Sequence, residues 1–210
     1  AFAGDTLEVM RAVLDANLWL ATHVVAMSAG YAATLLAGGL GIATLLRNLA
    51  RRGSAGDDPF HRALIGLTGL ALGANVLGTF LGGVWADQAW GRFWGWDPKE
   101  NGALLLVLWN ALLLHAHAAG LAGPRGCAAL AVGGNVVTAG SWFGVNLLGV
   151  GLHQYGGQGA AAWPLALFTL LHVALLLTAL IRPRGGPQAV RGDGQAARSG
   201  ASASSGPEKP

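Results

Sequence analysis

The sequence predicts an all-α fold, a polytopic membrane helical bundle of about five transmembrane helices with a tryptophan-rich loop on its outer face. Three observations predict it. Only 11% of the 210 residues are charged, against 53% hydrophobic, and a soluble domain carries roughly twice that charge. The charges are clustered, so that none falls between Asp15 and Arg47, Arg62 and Asp87, Glu100 and Arg125, or Gly126 and Ile181. Third, Trp90, Trp94 and Trp96 crowd into seven positions between two of these stretches, more than an interfacial aromatic belt requires.

A membrane helix needs roughly 20 apolar residues. The first three stretches each hold one, at about 17–46, 63–84 and 98–120. The last is too long for a single helix and suits two, at about 126–146 and 162–181, joined by a polar turn. The first stretch is too long for a signal peptide, and no small-residue cleavage site follows it. Residues 1–181 thus read as one membrane domain with the tryptophan loop at 85–100. Residues 182–210, rich in Gly, Ser, Ala, Pro and Arg, read as a disordered cytoplasmic tail. The chain begins with Ala1, and it is expected to be a C-terminal piece of a longer or fused protein.

Positive loops favour the cytoplasmic side. Ten of the 13 Lys and Arg residues fall on one set of loops and the tail, leaving Arg11, Arg92 and Lys99 on the other. The N-terminus, the tryptophan loop and the 147–161 loop are therefore expected outside, in a cytoplasmic (inner) membrane. The pI of about 9.6 reflects this bias and not nucleic-acid binding. Cys127 is the single cysteine, so the chain has neither an internal disulfide nor a Cys-x-x-Cys pair.

Asp97-Pro98-Lys99-Glu100 reads as a helix start. Asp97 suits the N-cap, Pro98 the first helical position, and Glu100 completes a capping box. Helix three then begins at the outer face and holds the tryptophans in place. Trp85, Trp90, Phe93, Trp94 and Trp96 read as a binding platform on one glycine-rich loop.

Six histidines are present. His23 lies near the outer end of span one, with Trp19, Met27 and Gly30 on its face. Position alone leaves it open between a ligand and a core histidine bonded to a carbonyl. His153 sits among glycines on the outer side. Two imidazoles flanking an aromatic plate suggest a bis-histidine haem site. His115 falls about 25 Å down helix three, too far to share that iron. His61 reads as a solvated loop residue, His117 as solvated or at the lipid edge, and His172 as a packing residue or one that faces the same cavity. Arg92 and Lys99 are either partners for haem propionates or plain interfacial charges.

The run Trp90-Gly-Arg-Phe-Trp-Gly-Trp-Asp-Pro-Lys-Glu-Asn-Gly-Ala-Leu resembles the tryptophan-rich "WWD" signature of haem-handling proteins. It is most similar to the CcsA/ResC branch of cytochrome c assembly. Asn17 to His23, Leu108 to His115 and Gly144 to Gly156 resemble that branch's first outer histidine, its intramembrane histidine helix and its second outer histidine loop. The resemblance covers about 5–181. It implies a protein of cytochrome c-type biogenesis that binds haem b without a covalent bond. Such a protein presents haem at the outer face for thioether attachment to the Cys-x-x-Cys-His of apocytochrome c, in a cytochrome c synthase complex with a ResB-type membrane partner. It implies that His23 and His153 ligate the outer haem, that Trp90, Trp94, Trp96 and Asp97 line the platform, and that His115 is one ligand of an inner haem. The family's second inner ligand lies on an upstream helix that has no match here. Thiols would come from the substrate, so no residue is assigned as a general acid or base. The alternatives are a haem chaperone serving a carrier, a b-type cytochrome moving electrons, and a membrane subunit without haem.

Overall fold

A computed structural model describes residues 18–50, 59–153 and 162–181. The proposed tail at 182–210 and the segment before residue 18 lie outside the described residues. All regular structure among those residues is helical: α1 (Leu18–Ala50), α2 (Pro59–Trp90), α3 (Pro98–Ala118), α4 (Pro124–Ala139), a π-helical turn (Gly140–Gly144), α5 (Val145–Leu147) and α6 (Ala162–Ile181). Five of the helices are long and apolar enough to cross a membrane, α4 doing so together with the π turn and α5. The protein is thus a multi-pass membrane protein.

The expected spans and the helices agree in number and order. The bounds differ most in α2, which runs to Trp90. Trp85 and Trp90 therefore belong to its last turns, and the irregular part of the expected 85–100 loop shrinks to 91–97. Gly91, at φ +67°, stops α2 by donating its N–H to the Asp87 carbonyl at 2.9 Å, the usual left-handed exit from a helix.

α1 makes its most extensive packing with α2 and then with α4, while α3 closes against α2 and α4. α6 lies on α4 and leaves most of its length exposed. Small residues allow the close approaches, as membrane helices require. A Cβ on Gly30 would stand 2.2 Å from Asn75 Oδ1, so the low-bulk face expected near His23 is filled by α2 there and not by a ligand. The core runs through Ala37, Leu45, Leu64, Leu113, Cys127 and Val132. Trp109 locks α3 to α4 by donating Nε1–H to the Leu130 carbonyl at 2.9 Å.

Because successive helices alternate in direction, the start of α1, the end of α2, the start of α3 and the π turn after α4 meet at one end of the bundle. The candidate site lies there.

Candidate functional site: a two-histidine cleft

The helix start at residue 97 organises this end. Asp97 is the N-cap of α3, and its Oδ1 accepts from the amides of Lys99 at 2.8 Å and Glu100 at 3.1 Å. Glu100 Oε2 accepts in return from the amides of Asp97 at 3.2 Å and Gly95 at 2.7 Å, which closes the capping box. Its other oxygen takes the Arg92 guanidinium at 2.9 Å. The 91–97 loop is thereby tied to the first turn of α3. Asp97, Glu100 and His153 bring ligand atoms within 4.8 Å of one another, but these bonds already occupy both carboxylates. The trio is a capping network and not a metal centre.

Asp97 has a second role. Its Oδ2 accepts from His153 Nδ1 at 2.6 Å and from the Leu152 amide at 3.2 Å. Gly151, at φ +93°, permits this approach, since a Cβ there would stand 3.0 Å from Oδ2. Burial pushes the Asp97 carboxyl upward in pKa. The His153 hydrogen bond, the Glu100 amide, the His153 charge and the Lys99 amide outweigh it, and hold the group below the ordinary carboxylate range. Asp97 is therefore an anion that can only accept, so His153 carries a proton on Nδ1, and in the neutral ring the lone pair lies on Nε2. Trp90 packs edge-on against the His153 ring, with centroids 4.9 Å apart and planes at 89°. A carboxylate fixing a histidine tautomer from behind is the usual support of a metal-binding imidazole.

His23 is set the same way. Its Nδ1 donates to the Gly78 carbonyl at 2.7 Å, which again leaves the lone pair on Nε2. Gly82 makes room for it, because a Cβ there would sit 2.6 Å from the His23 ring. The carbonyl-bonded reading of His23 thus holds for Nδ1, and the ligand reading rests on Nε2.

His23 and His153 line one open cleft with a cavity volume of about 230 Å³, below the roughly 300–1,000 Å³ usual for enclosed ligand pockets. Its walls include Met27, Tyr31, Gly83, Phe93, Trp94, Lys99 and Trp142. The tryptophans do not form a flat plate. Trp94 and Trp96 meet at 88° with centroids 5.9 Å apart, and Trp85 and Trp90 at 71° and 4.8 Å. Trp94 lines the cleft, Trp90 supports His153, and Trp85 is buried. Trp96 is 68% exposed and lies outside the lining. It holds a left-handed φ of +59°, a strained state for a bulky residue. Asn101 Nδ2 donates to its carbonyl at 3.0 Å.

Trp142 also lines the cleft, and the sequence reading missed it. It stacks on Phe143 at 5.0 Å and 18°, and tilts against Tyr31 at 5.2 Å. It sits in the π turn, a feature that often marks functional sites, with Ser141 Oγ donating to the Gly102 carbonyl at 3.0 Å. Two aromatics together at the end of an apolar helix were the available signal. Lys99 Nζ bonds the Trp142 carbonyl and donates to Asn146 Oδ1 at 3.0 Å. Of the two basic residues considered, Lys99 borders the cleft, whereas Arg92 pairs with Glu100 and stands 5.7 Å from the Trp90 ring.

The other histidines lie elsewhere. His115 is exposed near the far end of α3, its Nδ1 donating to the Ala111 carbonyl at 2.7 Å. His172 donates from Nδ1 to the Phe168 carbonyl at 2.8 Å and accepts from Asn135 Nδ2 at 3.3 Å, as befits a packing residue. His61 and His117 pack ring to ring with centroids 5.0 Å apart, so His61 is not the solvated loop group expected.

The family model described as "Cytochrome C assembly protein" matches residues 12–153, more than half of the chain. Similar proteins include cytochrome c biogenesis proteins CcsA. The one from a Synechococcus sp. strain is 34% identical over 168 residues, covering 66% of this chain and 55% of the relative. The one from Chlamydomonas reinhardtii is 39% identical over 147 residues, covering 66% and 40%. The one from Nostoc punctiforme is 47% identical over 90 residues, covering 43% and 26%. The chain spans about half the length of the curated relatives it matches. No solved structure matches it.

Proposed function

Since this chain belongs to the cytochrome C assembly protein family, we propose that its cleft holds haem b without a covalent bond and presents it for attachment to an apocytochrome c. One observation carries the reading. His23 and His153 come from distant parts of the sequence, line the same cleft, and each commits Nδ1 to a fixed acceptor. Both rings then offer Nε2 as a neutral donor, the state in which imidazole ligates haem iron.

The remaining residues have roles that suit a flat, largely apolar cargo with charged edges. Phe93, Trp94 and Trp142 supply aromatic walls, for which stacking adds about 0.5–1.5 kcal/mol per pair. Lys99 is the cation placed to meet a propionate. Asp97 and Trp90 hold His153 in register. The haem supplies the vinyl groups, and the substrate's Cys-x-x-Cys-His supplies the thiols. This chain's contribution is positioning.

In this reading the tryptophan-loop end faces the outside of the inner membrane, as the charge split favours. His115 serves a second, inner haem whose other ligand comes from a segment not matched here, with a ResB-type partner completing the synthase. Its exposed position near the opposite end of α3 suits a site closed by another segment.

The test is the absorption spectrum of the purified chain, wild type against His23→Ala and His153→Ala. The wild type is expected to show a six-coordinate, low-spin Soret band. Each variant is expected to lose that band or most of its haem, and to regain it with added imidazole. Unchanged haem content and spectrum in both variants would remove the reading. Coexpression with a ResB-type partner, scored by haem-stained cytochrome c, then tests attachment.

A further inference from the structure

The end of the bundle opposite the cleft gathers a second set of ligand-type side chains. His61 opens α2, His117 closes α3 and Cys127 lies in the first turn of α4. One ligand atom from each lies within 4.8 Å of the others. Cys127 Sγ is 3.9 Å from His117 Nδ1, and the His61 and His117 rings meet at 74°.

We propose that His61, His117 and Cys127 form a metal site for a thiophilic divalent ion of the zinc type, distinct from the haem cleft. Two imidazoles and one thiolate are a borderline-soft donor set, which suits zinc and its neighbours and not magnesium or calcium. The spacing is close to what an ion needs. Zn–N of about 2.0–2.1 Å and Zn–S of about 2.3 Å in a tetrahedron place N and S about 3.5 Å apart. The 3.9 Å separation of Cys127 and His117 therefore closes by a few tenths of an ångström, and His61, within 4.8 Å of both, moves in to complete the set. Cys127 is fully buried, while both histidines are only partly so, so an ion arrives past the imidazoles and meets the sulfur last. Sγ–H now donates to the Ala122 carbonyl at 3.2 Å, and binding replaces that proton by metal. Three protein ligands leave a fourth position for water or an exchanging donor, the pattern of open zinc sites. Because the ligands come from three helices, the ion would also pin the starts of α2 and α4 to the end of α3.

The experiment uses the full chain in detergent, stripped with chelator and kept reduced, then titrated with Co²⁺ in place of zinc. The wild type is expected to take up one Co²⁺ per chain, with a near-ultraviolet thiolate-to-cobalt charge-transfer band that Zn²⁺ bleaches. Cys127→Ser is expected to abolish that band. His61→Ala and His117→Ala should each weaken Co²⁺ by more than the roughly 10–100-fold that loss of an outer-shell partner costs. His115→Ala should leave the titration unchanged. Circular dichroism and elution profile report whether each variant folds. Absence of a thiolate band in the wild type overturns the site without reference to any variant, as does a band that survives Cys127→Ser. Because the probe is cobalt, failure here leaves the haem reading untouched.

Discussion

Asp97→Asn separates two functions that one side chain performs. In the wild type, Oδ1 caps α3 through the amides of Lys99 and Glu100, while Oδ2 accepts from His153 Nδ1 at 2.6 Å and from the Leu152 amide. Asparagine caps a helix as well as aspartate does, so its oxygen keeps the two α3 amides. Its –NH₂ then faces His153 as a donor. The imidazole must answer by accepting at Nδ1, which moves the proton to Nε2 and removes the lone pair that the proposed haem site uses. A hydrogen bond to a charged group contributes about 1.5–3 kcal/mol. Loss of a second partner behind a metal-bound histidine typically costs 10–100-fold in affinity, which is about 1.4–2.7 kcal/mol. The two ranges agree, so Asp97→Asn should weaken haem binding about 10–100-fold. The apoprotein should lose only about 1 kcal/mol, from the Leu152 amide that forfeits its acceptor. Asp97→Ala should lose about a further 1 kcal/mol with the cap. Haem titration followed by absorption, paired with thermal melts of the apoprotein, measures both quantities. The reasoning is refuted if the Asn variant binds haem as the wild type does, or if it destabilises the apoprotein as much as Ala does.

Other outcomes follow from the same geometry. Asp97 has a lowered pKa in the folded chain, so its stabilisation is complete above the ordinary carboxylate value near 3.9 and is lost as pH falls below it toward the folded value. The wild-type apoprotein should therefore melt earlier on acidification through that window, and Asp97→Asn should flatten that part of the profile. Gly82→Ala places a methyl 2.6 Å from the His23 ring. Overpacking of this kind costs about 1–3 kcal/mol, and the low-spin haem spectrum should weaken while helix content by circular dichroism is kept. Trp96→Gly removes a left-handed strain of about 1–3 kcal/mol at an exposed indole. It should raise the melting midpoint and leave haem titration intact while lowering cytochrome c maturation. A parallel loss of haem binding would place Trp96 inside the cleft after all.

The physics that acts along the chain was legible in the residues. Four uncharged stretches, the last long enough for two spans, became five long helices, because each helix removes roughly 20 apolar residues from water and satisfies its own backbone. The start of α3 was legible to the residue, because a capping box operates within four positions. The end of α2 was legible in principle from Gly91, although the aromatic run around it read as loop. The tryptophan run also lies at the end of the bundle that holds the two-histidine cleft.

Packing decided the rest. Helix crossings bring Trp142 and His23 to the lining of one cleft, and no local pattern encodes such a crossing. Packing also gave Asp97 its second partner 56 positions on, turned the indoles edge to face instead of into a plate, and paired Arg92 with Glu100 while leaving Lys99 at the cleft. It brought His61 to His117 and Cys127, three residues that looked unrelated in sequence and lie on three different helices. Hydropathy and capping act over a few neighbours of one helix, whereas a ligand site needs atoms from several helices within a few ångströms. That convergence depends on where small residues such as Gly82 let two helices touch, and it exists only once they are packed.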